Sequence, residues 1–465
     1  MKPIVVIQGA GFVGAAMAVA CARAGTRSGG EPIYEVFCVD LPTPTGLSRI
    51  KMINRGEFPF VTTDKRLITE MRLAFEANNL HATTDTDIFQ FATIVIVDVQ
   101  FDITDLTGNT NLEFSSFIKA VNTIGKLVQP ETLVMVETTI PPGTCKSVIR
   151  PTLDGCAEDR GLPKNSFLLA HSYERVMPGQ NYLASITDYW RVFAGDTLEA
   201  ANACESFLST VINVKDFPLT RLSNTTASET AKVLENSYRA VNIAFMDEWG
   251  RFAEKVGIDM FEIVNAIRLR PTHNNIMQPG FGVGGYCLTK DPLFAGMSAR
   301  DLFSISDIDF PFSRLSVSVN REMPLHPLTK VRDALDGLGN KRILLAGISY
   351  RADVSDTRYS PSQIFYERAV VEQAEVLCYD PLVRYWPELH LETLSNLYKC
   401  PEVDAVVFAV PHREFDDIQP ADWLSGRCPY ILDANNCLSA SQRLSFELQG
   451  CRVDSIGRGN SFDHQ

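Results

Sequence analysis

Short runs of β-branched and other apolar residues alternate with helical segments through the first third of the chain. The predicted strands are 4–7, 36–39, 93–97, 133–136 and 167–170, and the predicted helices between them include 12–24 and 114–128. Strands that alternate with helices form parallel sheets that are covered by helices on both faces. The alternation therefore predicts a doubly wound α/β domain at the start of the chain.

The pattern changes in the middle of the chain and then returns. Residues 228–256 read as one long helix that ends at Gly257, and no convincing strand pattern occurs between 223 and 322. Later strands are predicted at 342–346, 375–379, 405–410 and 430–433. In both α/β sections the second strand closes on an aspartate, Asp40 in the first and Asp380 in the last.

We therefore predict an α/β fold with two Rossmann-like doubly wound domains, joined by a helical connector that contains one long central helix. The expected domains are 1–222, 223–322 and 323–465. The segment from Gly457 onwards is rich in glycine and is expected to be mobile.

Charge and cysteine content narrow the classes of partner. A formal net charge of −13 argues against general affinity for nucleic acid or for an anionic membrane. The 11 cysteines are odd in number and lack metal-ligand spacing, so we expect reduced thiols, no disulfide framework and no metal site. Residues 1–3 leave no room for a signal peptide, and no apolar run is long enough to cross a bilayer. These features predict a cytoplasmic protein.

The first predicted strand runs directly into Gly9-Ala-Gly11-Phe12-Val13-Gly14, which also opens the first predicted helix. Gly9 allows a tight turn, Gly11 allows the backbone to approach a pyrophosphate, and Gly14 allows the helix to pack closely on the strand. Asp40 can bind the ribose hydroxyls and would repel a 2′-phosphate, and Leu41-Pro42 supplies no arginine. The sequence predicts an NAD site.

A second glycine-rich segment, Gly280-Phe-Gly-Val-Gly-Gly-Tyr-Cys287, ends in a cysteine. Such a loop can hold backbone amides against a ligand, and a cysteine near the following helix start could be a reactive thiolate. The alternative is a buried, inert cysteine, which is the common case. Asp291-Pro292 is expected to begin that helix, with Asp291 as its N-cap.

The long helix carries Glu229, Lys232, Asn236 and Arg239 on one face. We expect Glu229 and Arg239 to be solvated, whereas Lys232 and Asn236 could share that surface or point into an interdomain cleft. The opposite face carries an apolar stripe that could pack inside the chain or in a dimer. The stripe contains Leu234, Val241, Phe245 and Phe252.

Several motifs, in order, resemble those of the UDP-glucose/GDP-mannose dehydrogenase family of nucleotide-sugar 6-dehydrogenases, and the resemblance covers essentially the whole chain. The matching stretches are Gly9–Gly14, Asp40, Glu137-Thr-Thr-Ile-Pro-Pro-Gly-Thr144, Glu174-Arg-Val-Met-Pro-Gly179, Lys232 with Asn236-Ser-Tyr-Arg-Ala-Val-Asn242, Pro279–Asp291, and Asp353-Val-Ser-Asp-Thr-Arg358-Tyr-Ser-Pro361.

This resemblance implies a four-electron oxidation of the C6 primary alcohol of a nucleotide sugar to a uronic acid, as a precursor for polysaccharide biosynthesis, with two NAD reduced per turnover. Cys287 would hold the aldehyde as a thiohemiacetal and then as a thioester. The resemblance also implies NAD binding by residues 1–222, nucleotide-sugar binding by residues 323–465, and a homodimer. The alternative is a two-electron dehydrogenase of the 6-phosphogluconate or 3-hydroxyacid type, which would need neither Cys287 nor the last domain.

The resemblance also assigns roles to individual residues. The implied catalytic residues are Cys287, Lys232, Asn236, Asp291, Glu174 and Thr139. Among these, Lys232 and Asn236 would stabilise a developing oxyanion, Asp291 would pair with the lysine and a water, and Glu174 and Thr139 would act as general base or activate water. The implied cofactor contacts are Gly9, Gly11, Phe12, Val13, Gly14, Asp40, Thr138, Thr139 and Arg358. The implied substrate contacts are Glu174, Arg175, Val176, Lys232, Asn236, Arg270, Phe281, Gly282, Val283, Gly284, Gly285, Tyr350 and Arg351.

Three positions depart from the family pattern. Tyr173 stands where the family usually has proline, Val99-Gln-Phe-Asp102 replaces a Val-Pro-Thr-Pro loop that touches the cofactor, and Arg351 replaces a lysine. The substrate signal is mixed. The Glu174–Gly179 stretch is similar to the branch that acts on UDP-N-acetylhexosamines, and Lys290-Asp291 is similar to the UDP-glucose branch. The resemblance favours a UDP-N-acetylhexosamine and leaves UDP-glucose open.

Overall fold

Strands and helices alternate along the chain in a computed structural model that describes residues 2–26, 29–103 and 105–459. The strands are β1 (Ile4–Gln8), β2 (Glu35–Val39), β3 (Leu80–Thr83), β4 (Ile94–Val97), β5 (Leu133–Val136), β6 (Leu168–His171), β7 (Val192–Gly195), β8 (Thr220–Arg221), β9 (Arg342–Ala346), β10 (Glu375–Tyr379), β11 (Tyr385–Trp386), β12 (Leu391–Glu392), β13 (Ala405–Phe408), β14 (Tyr430–Asp433) and β15 (Val453–Ser455). The helices are α1 (Phe12–Ala22), α2 (Pro44–Ile53), α3 (Lys65–Glu76), α4 (Ser115–Leu127), α5 (Arg150–Asp159), α6 (Tyr182–Thr187), α7 (Leu198–Val211), α8 (Thr225–Val256), α9 (Met260–Arg268), α10 (Phe294–Asp301), α11 (Pro311–Glu322), α12 (Leu325–Ala334), α13 (Pro361–Val371), α14 (Pro420–Leu424) and α15 (Ala440–Leu448).

The chain divides into two units. The first comprises Met1–Glu235 and Phe294–Asp309. Its sheet has the strand order β3-β2-β1-β4-β5-β6-β7-β8 and is parallel except where β7 runs antiparallel to β6. Every residue of β4 and β5 is buried, as expected for strands covered by helices on both faces. The first six strands have the order of a dinucleotide-binding fold, which confirms the doubly wound prediction.

The second unit comprises Asn236–Leu293 and Phe310–Gln465. It contains a parallel five-stranded sheet with the order β10-β9-β13-β14-β15, and a separate hairpin of β11 and β12. Counted within the sheet, this order is 2-1-3-4-5, the other common doubly wound arrangement. The prediction of a second Rossmann-like sheet is confirmed. Ligands of such sheets bind where the strand order reverses, which here lies between β9 and β13.

The predicted helical connector contains α8 to α11, and no strand occurs among residues 223–322, all of which the structure describes. Its residues are shared between the two units: α8 contributes to both, and α10 belongs to the first. Helix α8 ends as expected, because Gly257 adopts a positive φ of 78° directly after Val256. The three domain boundaries remain a prediction.

The expectation of a mobile tail is wrong for Gly457–Gly459. The guanidinium of Arg458 lies 4.1 Å from the ring centroid of Phe261, and its Nε donates to Asp259 Oδ2 at 2.8 Å. The N–H of Gly459 also donates to the carbonyl oxygen of Ile258 at 3.0 Å. These contacts fix the segment against the end of α8 and the start of α9. The remainder of the tail lies outside the described residues.

The structure also bears on two sequence predictions, those on membrane-spanning segments and on disulfides. No helix among the described residues is long and apolar enough to cross a membrane. All 11 cysteines fall in the described ranges, and none of them forms a disulfide there.

Candidate functional site

The turn after β1 requires glycine at two positions. Gly9 has φ +110°, and its N–H donates to the carbonyl oxygen of Val39 at 2.9 Å. A Cβ on Gly9 would lie 2.3 Å from the carbonyl oxygen of Asp98, and a Cβ on Gly14 would lie 2.0 Å from the carbonyl oxygen of Gly9. The turn therefore holds α1 directly against β1 and β4.

Gly11 is the N-cap of α1, and no side chain caps the helix there. No atom lies within 4 Å of a Cβ built on Gly11, so this side of the turn is open. The first residues of the helix, Phe12 and Val13, follow directly, at the positive end of the helix dipole. An open glycine at the positive end of a helix dipole fits a pyrophosphate. This geometry fits an NAD-type dinucleotide.

Asp40 follows β2, and its Oδ2 lies 3.3 Å from Nη1 of Arg49. Arg49 belongs to α2 and also lies 5.4 Å from the ring centroid of Phe60, which stacks on Phe12 at 3.9 Å. Arg49 is not among the predicted residues, because the residues immediately after Asp40 include no arginine and Arg49 lies nine positions later. The preference for NAD therefore depends on the Asp40 carboxylate and not on the absence of a nearby cation.

The atypical loop after β4 is anchored in the first unit. The Thr138 hydroxyl donates to the carbonyl oxygen of Val99 at 2.8 Å. The side chain of Phe101 is 2% exposed and packs against Phe114 and Phe294. Thr139 follows Thr138 and is half-buried. The loop thus replaces prolines with an aromatic anchor, and its contacts with cofactor stay a prediction.

Buried charges line the carboxyl ends of the central strands in the first unit. Arg191 pairs with Glu137, and its Nε donates to Ser172 Oγ at 3.1 Å. Burial, reinforced by the charge of Glu174, raises the pKa of Asp98 to about 8. One oxygen of Asp98 and one of Glu137 are shielded from solvent and have no protein hydrogen-bond partner. This end of the sheet is therefore rich in buried polar groups.

Lys232 and Glu174 lie together in the first unit. Nζ of Lys232 donates to the backbone carbonyl oxygen of Glu174 at 2.7 Å and lies 3.4 Å from its Oε1. Tyr173, which replaces the usual proline, stacks against this lysine, with Nζ 5.4 Å from the ring centroid. Glu174 also accepts from the N–H of Val176, while Arg175 is paired with Glu235. The two implied catalytic side chains are thus in direct contact.

The prediction that Glu229 is solvated is wrong. Its side chain is 0% exposed, and its carboxylate accepts from the backbone N–H groups of Gly143 and Cys145. Burial raises the pKa of Glu229 to about 7, partly offset by these hydrogen bonds. The reason for the error is local. The Pro-Pro-Gly turn leaves two amides unpaired at the start of the next helical segment, and a carboxylate is needed to satisfy them.

Cys287 is exposed in the second unit, at the end of the glycine-rich loop. A Cβ on Gly284 would lie 2.7 Å from Cβ of Tyr350, and Gly285, with φ +81°, lies under the Tyr350 ring. The side chains of Phe281 and Val283 are buried instead. The loop therefore presents its backbone to a ligand, and not the side chains of Phe281 and Val283. Gly282 lies between these two residues.

Arg239 and Tyr350 both interact electrostatically with this cysteine. Burial and the charge of Arg351 lower the pKa of Arg239, while interaction with Cys287 opposes that change. Burial, with the charges of Asp356 and Cys287, raises the pKa of Tyr350 to about 12. Arg239 is exposed, as expected for a residue on a solvated face. Its proximity to Cys287 could not be read from helix spacing, because it depends on how the glycine loop packs.

Asn236 and Asp291 are joined by a hydrogen bond in the second unit, from Nδ2 to Oδ2 at 2.7 Å. The other oxygen of Asp291 accepts from Nζ of Lys290 at 2.7 Å, and that Nζ lies 4.1 Å from the ring centroid of Tyr286. Asp291 and Lys290 are both almost fully buried. Asp291 begins a short 3₁₀ turn, Asp291–Leu293, and not an α-helix, so its predicted N-cap role is wrong.

Two further implied site residues, Arg358 and Arg270, also belong to the second unit. Arg358 is held by Asp356, with Nη2 2.7 Å from Oδ2. Arg270 is exposed and precedes the 3₁₀ turn Pro271–His273. The second unit thus brings together Cys287, Tyr350 and Arg351, and joins Asn236 to Asp291. The first unit brings together Gly9–Gly14, Asp40 and Thr138, and joins Glu174 to Lys232.

Comparison with known proteins identifies the family of the chain. Residues 2–208 match the NAD binding domain of the UDP-glucose/GDP-mannose dehydrogenase family, residues 226–321 match its central domain, and residues 344–440 match its UDP binding domain. A UDP-N-acetyl-D-mannosamine dehydrogenase from Pyrococcus horikoshii is 30% identical, over 98% of this chain and 99% of that protein. An NDP-N-acetyl-D-galactosaminuronic acid dehydrogenase from Ralstonia nicotianae is 25% identical, over 84% of this chain and 89% of that protein.

A solved structure of a UDP-D-ManNAc dehydrogenase from Pyrococcus horikoshii has a TM-score of 0.81 and 27% identity, and covers 98% of this chain and 100% of that chain. The family resemblance, the fold and the NAD cofactor are therefore confirmed. The chain belongs to the UDP-glucose/GDP-mannose dehydrogenase family and is an NAD-dependent nucleotide-sugar dehydrogenase.

Proposed function

We propose that this enzyme oxidises the C6 primary alcohol of a UDP-N-acetylhexosamine to the carboxylate, with Cys287 as the covalent nucleophile. The observation that carries the proposal is the placement of Cys287. It is exposed at the end of the glycine-rich loop and interacts with Arg239 and Tyr350, whereas nine of the 11 cysteines are buried. A positive charge beside a thiol favours the thiolate, which is the reactive form. The names of the relatives favour an N-acetylated hexosamine as the sugar.

The reaction needs two oxidations at one carbon. NAD supplies the hydride acceptor, and two molecules are reduced per sugar. In the first oxidation, a base takes the hydroxyl proton as hydride leaves C6, which gives an aldehyde. The Cys287 thiolate then adds to the aldehyde carbon and forms a thiohemiacetal. Loss of a second hydride and of the hydroxyl proton gives a thioester, and attack of water releases the carboxylic acid and restores the thiol.

The polar residues in each unit suit the roles that the resemblance implies. Lys232 and Asn236 carry N–H donors one turn apart on α8, and we assign them to stabilise the oxyanion that develops at C6. We assign Glu174, with Thr139, to proton transfer and water activation. Nζ of Lys232 lies 3.4 Å from Oε1 of Glu174. Asp291 fixes the Asn236 amide through a short hydrogen bond.

Substrate contacts are proposed from both units. In the second unit these are the backbone of the 281–285 loop with Tyr350, Arg351 and the exposed Arg270, while Arg358 would reach the cofactor. In the first unit, Glu174 and Val176 would contact the sugar. The guanidinium of Arg175 is engaged by Glu235, so we assign it to hold this segment. We retain 1–222, 223–322 and 323–465 as the NAD-binding, helical and nucleotide-sugar-binding domains.

We also propose a cytoplasmic homodimer. The apolar stripe of α8 is exposed in the second unit, where Phe245, Trp249 and Phe252 are each about half exposed. Nearby on α11, Phe312 and Leu315 are exposed and line the same groove as Phe245. An apolar surface of this extent fits a second copy of the chain. Sedimentation of Phe245→Glu, within the groove, should give a monomer, and Leu269→Glu, an exposed leucine outside the groove, should leave the dimer intact.

The stoichiometry of NADH tests the proposed reaction. The wild-type enzyme should release two NADH per UDP-N-acetylhexosamine, and the Cys287→Ser variant should lose multiple turnover while it still binds NAD. One NADH per sugar would instead indicate the two-electron alternative. A panel that includes UDP-glucose tests the substrate, and a higher kcat/KM for UDP-glucose would overturn the assignment of an N-acetylated sugar.

A further inference from the structure

The turn after β9 repeats the geometry of the cofactor turn after β1. The N–H of Gly347 donates to the carbonyl oxygen of Tyr379 at 2.8 Å, as that of Gly9 donates to the carbonyl oxygen of Val39 at 2.9 Å. Gly347 has φ +98°, and its Cβ would lie 2.7 Å from the backbone nitrogen of Val410. In a doubly wound sheet, this turn is where backbone N–H groups meet an anionic ligand.

In the second unit, a side chain accepts these hydrogen bonds. Oδ2 of Asp380 accepts from the backbone N–H groups of Ile348 and Ser349, each at 3.0 Å, and from the Ser349 hydroxyl at 3.0 Å. Its Oδ1 accepts from the N–H of Leu382 at 2.9 Å. Asp380 is 0% exposed. The carboxylate thus occupies the position that a ligand's phosphate takes in a dinucleotide-binding turn.

His412 completes the arrangement from the loop that follows β13, the strand on the other side of β9. Its Nδ1 accepts from the backbone N–H of Asp353 at 3.1 Å, so this nitrogen carries no proton. Its Nε2 then carries the proton and lies 3.1 Å from Asp380 Oδ2 and 3.1 Å from Ser349 Oγ. This tautomer is assigned from the donors around the ring. His412 therefore binds both ends of the 349–353 segment.

The segment between these two ends carries the residues next to the nucleophile. Tyr350 packs on Gly285, and its phenol interacts with Cys287. Arg351 follows and interacts with both Tyr350 and Arg239. We propose that the buried trio of Ser349, Asp380 and His412 is a positioning device that fixes Tyr350 and Arg351 beside Cys287. This inference rests on the proposed role of Cys287 and its neighbours.

Two substitutions at His412 separate the two hydrogen bonds of the ring. Asparagine places an amide oxygen near the position of Nδ1, so His412→Asn keeps the acceptor for Asp353 and loses the donor to Asp380. Glutamine reaches the position of Nε2, so His412→Gln keeps the donor and loses the acceptor. Each should raise KM for the nucleotide sugar about 10- to 100-fold, because small displacements of binding groups have effects of this size. Ser349→Ala removes one hydroxyl and should raise KM about 3- to 10-fold.

The control is Tyr430→Phe, which removes a buried hydrogen bond to Asp454 in the same unit without touching the loop. It should leave KM for the sugar unchanged. In all variants the dissociation constant of NAD should stay within about twofold, since the substitutions leave the glycine turn and Asp40 of the first unit unchanged. A general loss of structure would instead raise both KM for the nucleotide sugar and the dissociation constant of NAD. An unchanged KM in the two His412 variants and in Ser349→Ala would overturn the proposal.

A second measurement does not depend on turnover. The rate of iodoacetamide alkylation at Cys287, resolved by peptide mass spectrometry from that at the exposed Cys428, reports the surroundings of the thiol directly. The His412 variants should change this rate, and Tyr430→Phe should not. If wild-type enzyme oxidises no sugar nucleotide, the proposed reaction fails, while the alkylation rate still decides whether the trio positions the loop. Equal rates in all variants would refute the positioning role.

Discussion

Replacement of Arg191 by methionine should destabilise the first unit by about 3–5 kcal/mol, because it leaves the charge of Glu137 buried without its partner. Both side chains of this ion pair are almost inaccessible, at 3% for Arg191 and 0% for Glu137. Burial raises the pKa of Asp98 to about 8, so at neutral pH this neighbour adds little further negative charge. The expected loss of stability therefore comes mainly from the unpaired carboxylate of Glu137.

The pH dependence of the loss identifies its cause. Without Arg191, burial disfavours the charged form of Glu137 and so raises its pKa in the folded state above its unfolded value. The folded variant then binds a proton more tightly than the unfolded chain, so its stability is highest at low pH. That stability should fall as the pH rises and the buried carboxyl of Glu137 loses its proton.

Urea unfolding at pH 5 and pH 8 measures both quantities. The two units can unfold in separate transitions, and the transition that NAD shifts to higher urea belongs to the first unit. Arg191→Met should be more destabilised at pH 8 than at pH 5. The double variant Arg191→Met/Glu137→Gln removes the unpaired buried charge and should recover most of the lost free energy of unfolding at pH 8. A loss in Arg191→Met below about 1 kcal/mol at both pH values, or a loss that is equal at both, would refute the reasoning.

Three further outcomes are expected. Gly14→Ala should abolish NAD binding in calorimetry, because its methyl group would lie 2.0 Å from the carbonyl oxygen of Gly9; undiminished affinity would contradict the tight turn. Burial raises the pKa of Glu229 to about 7 in the folded state, so the wild type loses stability as the pH rises. Between pH 4.5 and 8, its free energy of unfolding should fall by about 3 kcal/mol relative to that of Glu229→Gln, as measured by urea unfolding. Parallel stability curves for the two proteins would contradict this. Gly347→Ala should lower the melting temperature, because φ +98° is strained for alanine and its Cβ would lie 2.6 Å from Cβ of Val410; an unchanged temperature would exclude that strain.

Local features of the fold could be predicted from the sequence because they depend on neighbours along the chain. The strand that precedes Gly9 and the end of α8 at Gly257 follow from hydrophobic runs and from glycine's access to positive φ. The same reasoning predicted the second sheet, since its buried strands carry the same signal. The order in which its strands lie required the structure.

Contacts made across long sequence separations could not be predicted in this way. The spacing of Glu229 placed it on a helix face but gave no sign of the two unpaired amides that it binds. Arg49 lies nine residues after Asp40, and only the turn into α2 brings it back to that carboxylate. The apolar stripe was recognised, but spacing could not determine whether it is covered within the chain. In each case the deciding partner belongs to a separate loop or element.

Because the carboxylate of Asp380 accepts the backbone hydrogen bonds of the turn at Gly347, the turns at Gly9 and Gly347 should respond differently to ligand concentration. A ligand that binds only the folded protein stabilises it in proportion to the logarithm of its concentration, by about 2.7 kcal/mol at 100 times the dissociation constant. The turn at Gly9 depends on such a ligand, so its order should rise and fall with the supply of NAD. The anion in the turn at Gly347 is the side chain of Asp380, so its presence does not depend on the concentration of any ligand. The loop that bears Tyr350 is therefore set at folding, and its geometry should not vary with the supply of dinucleotide.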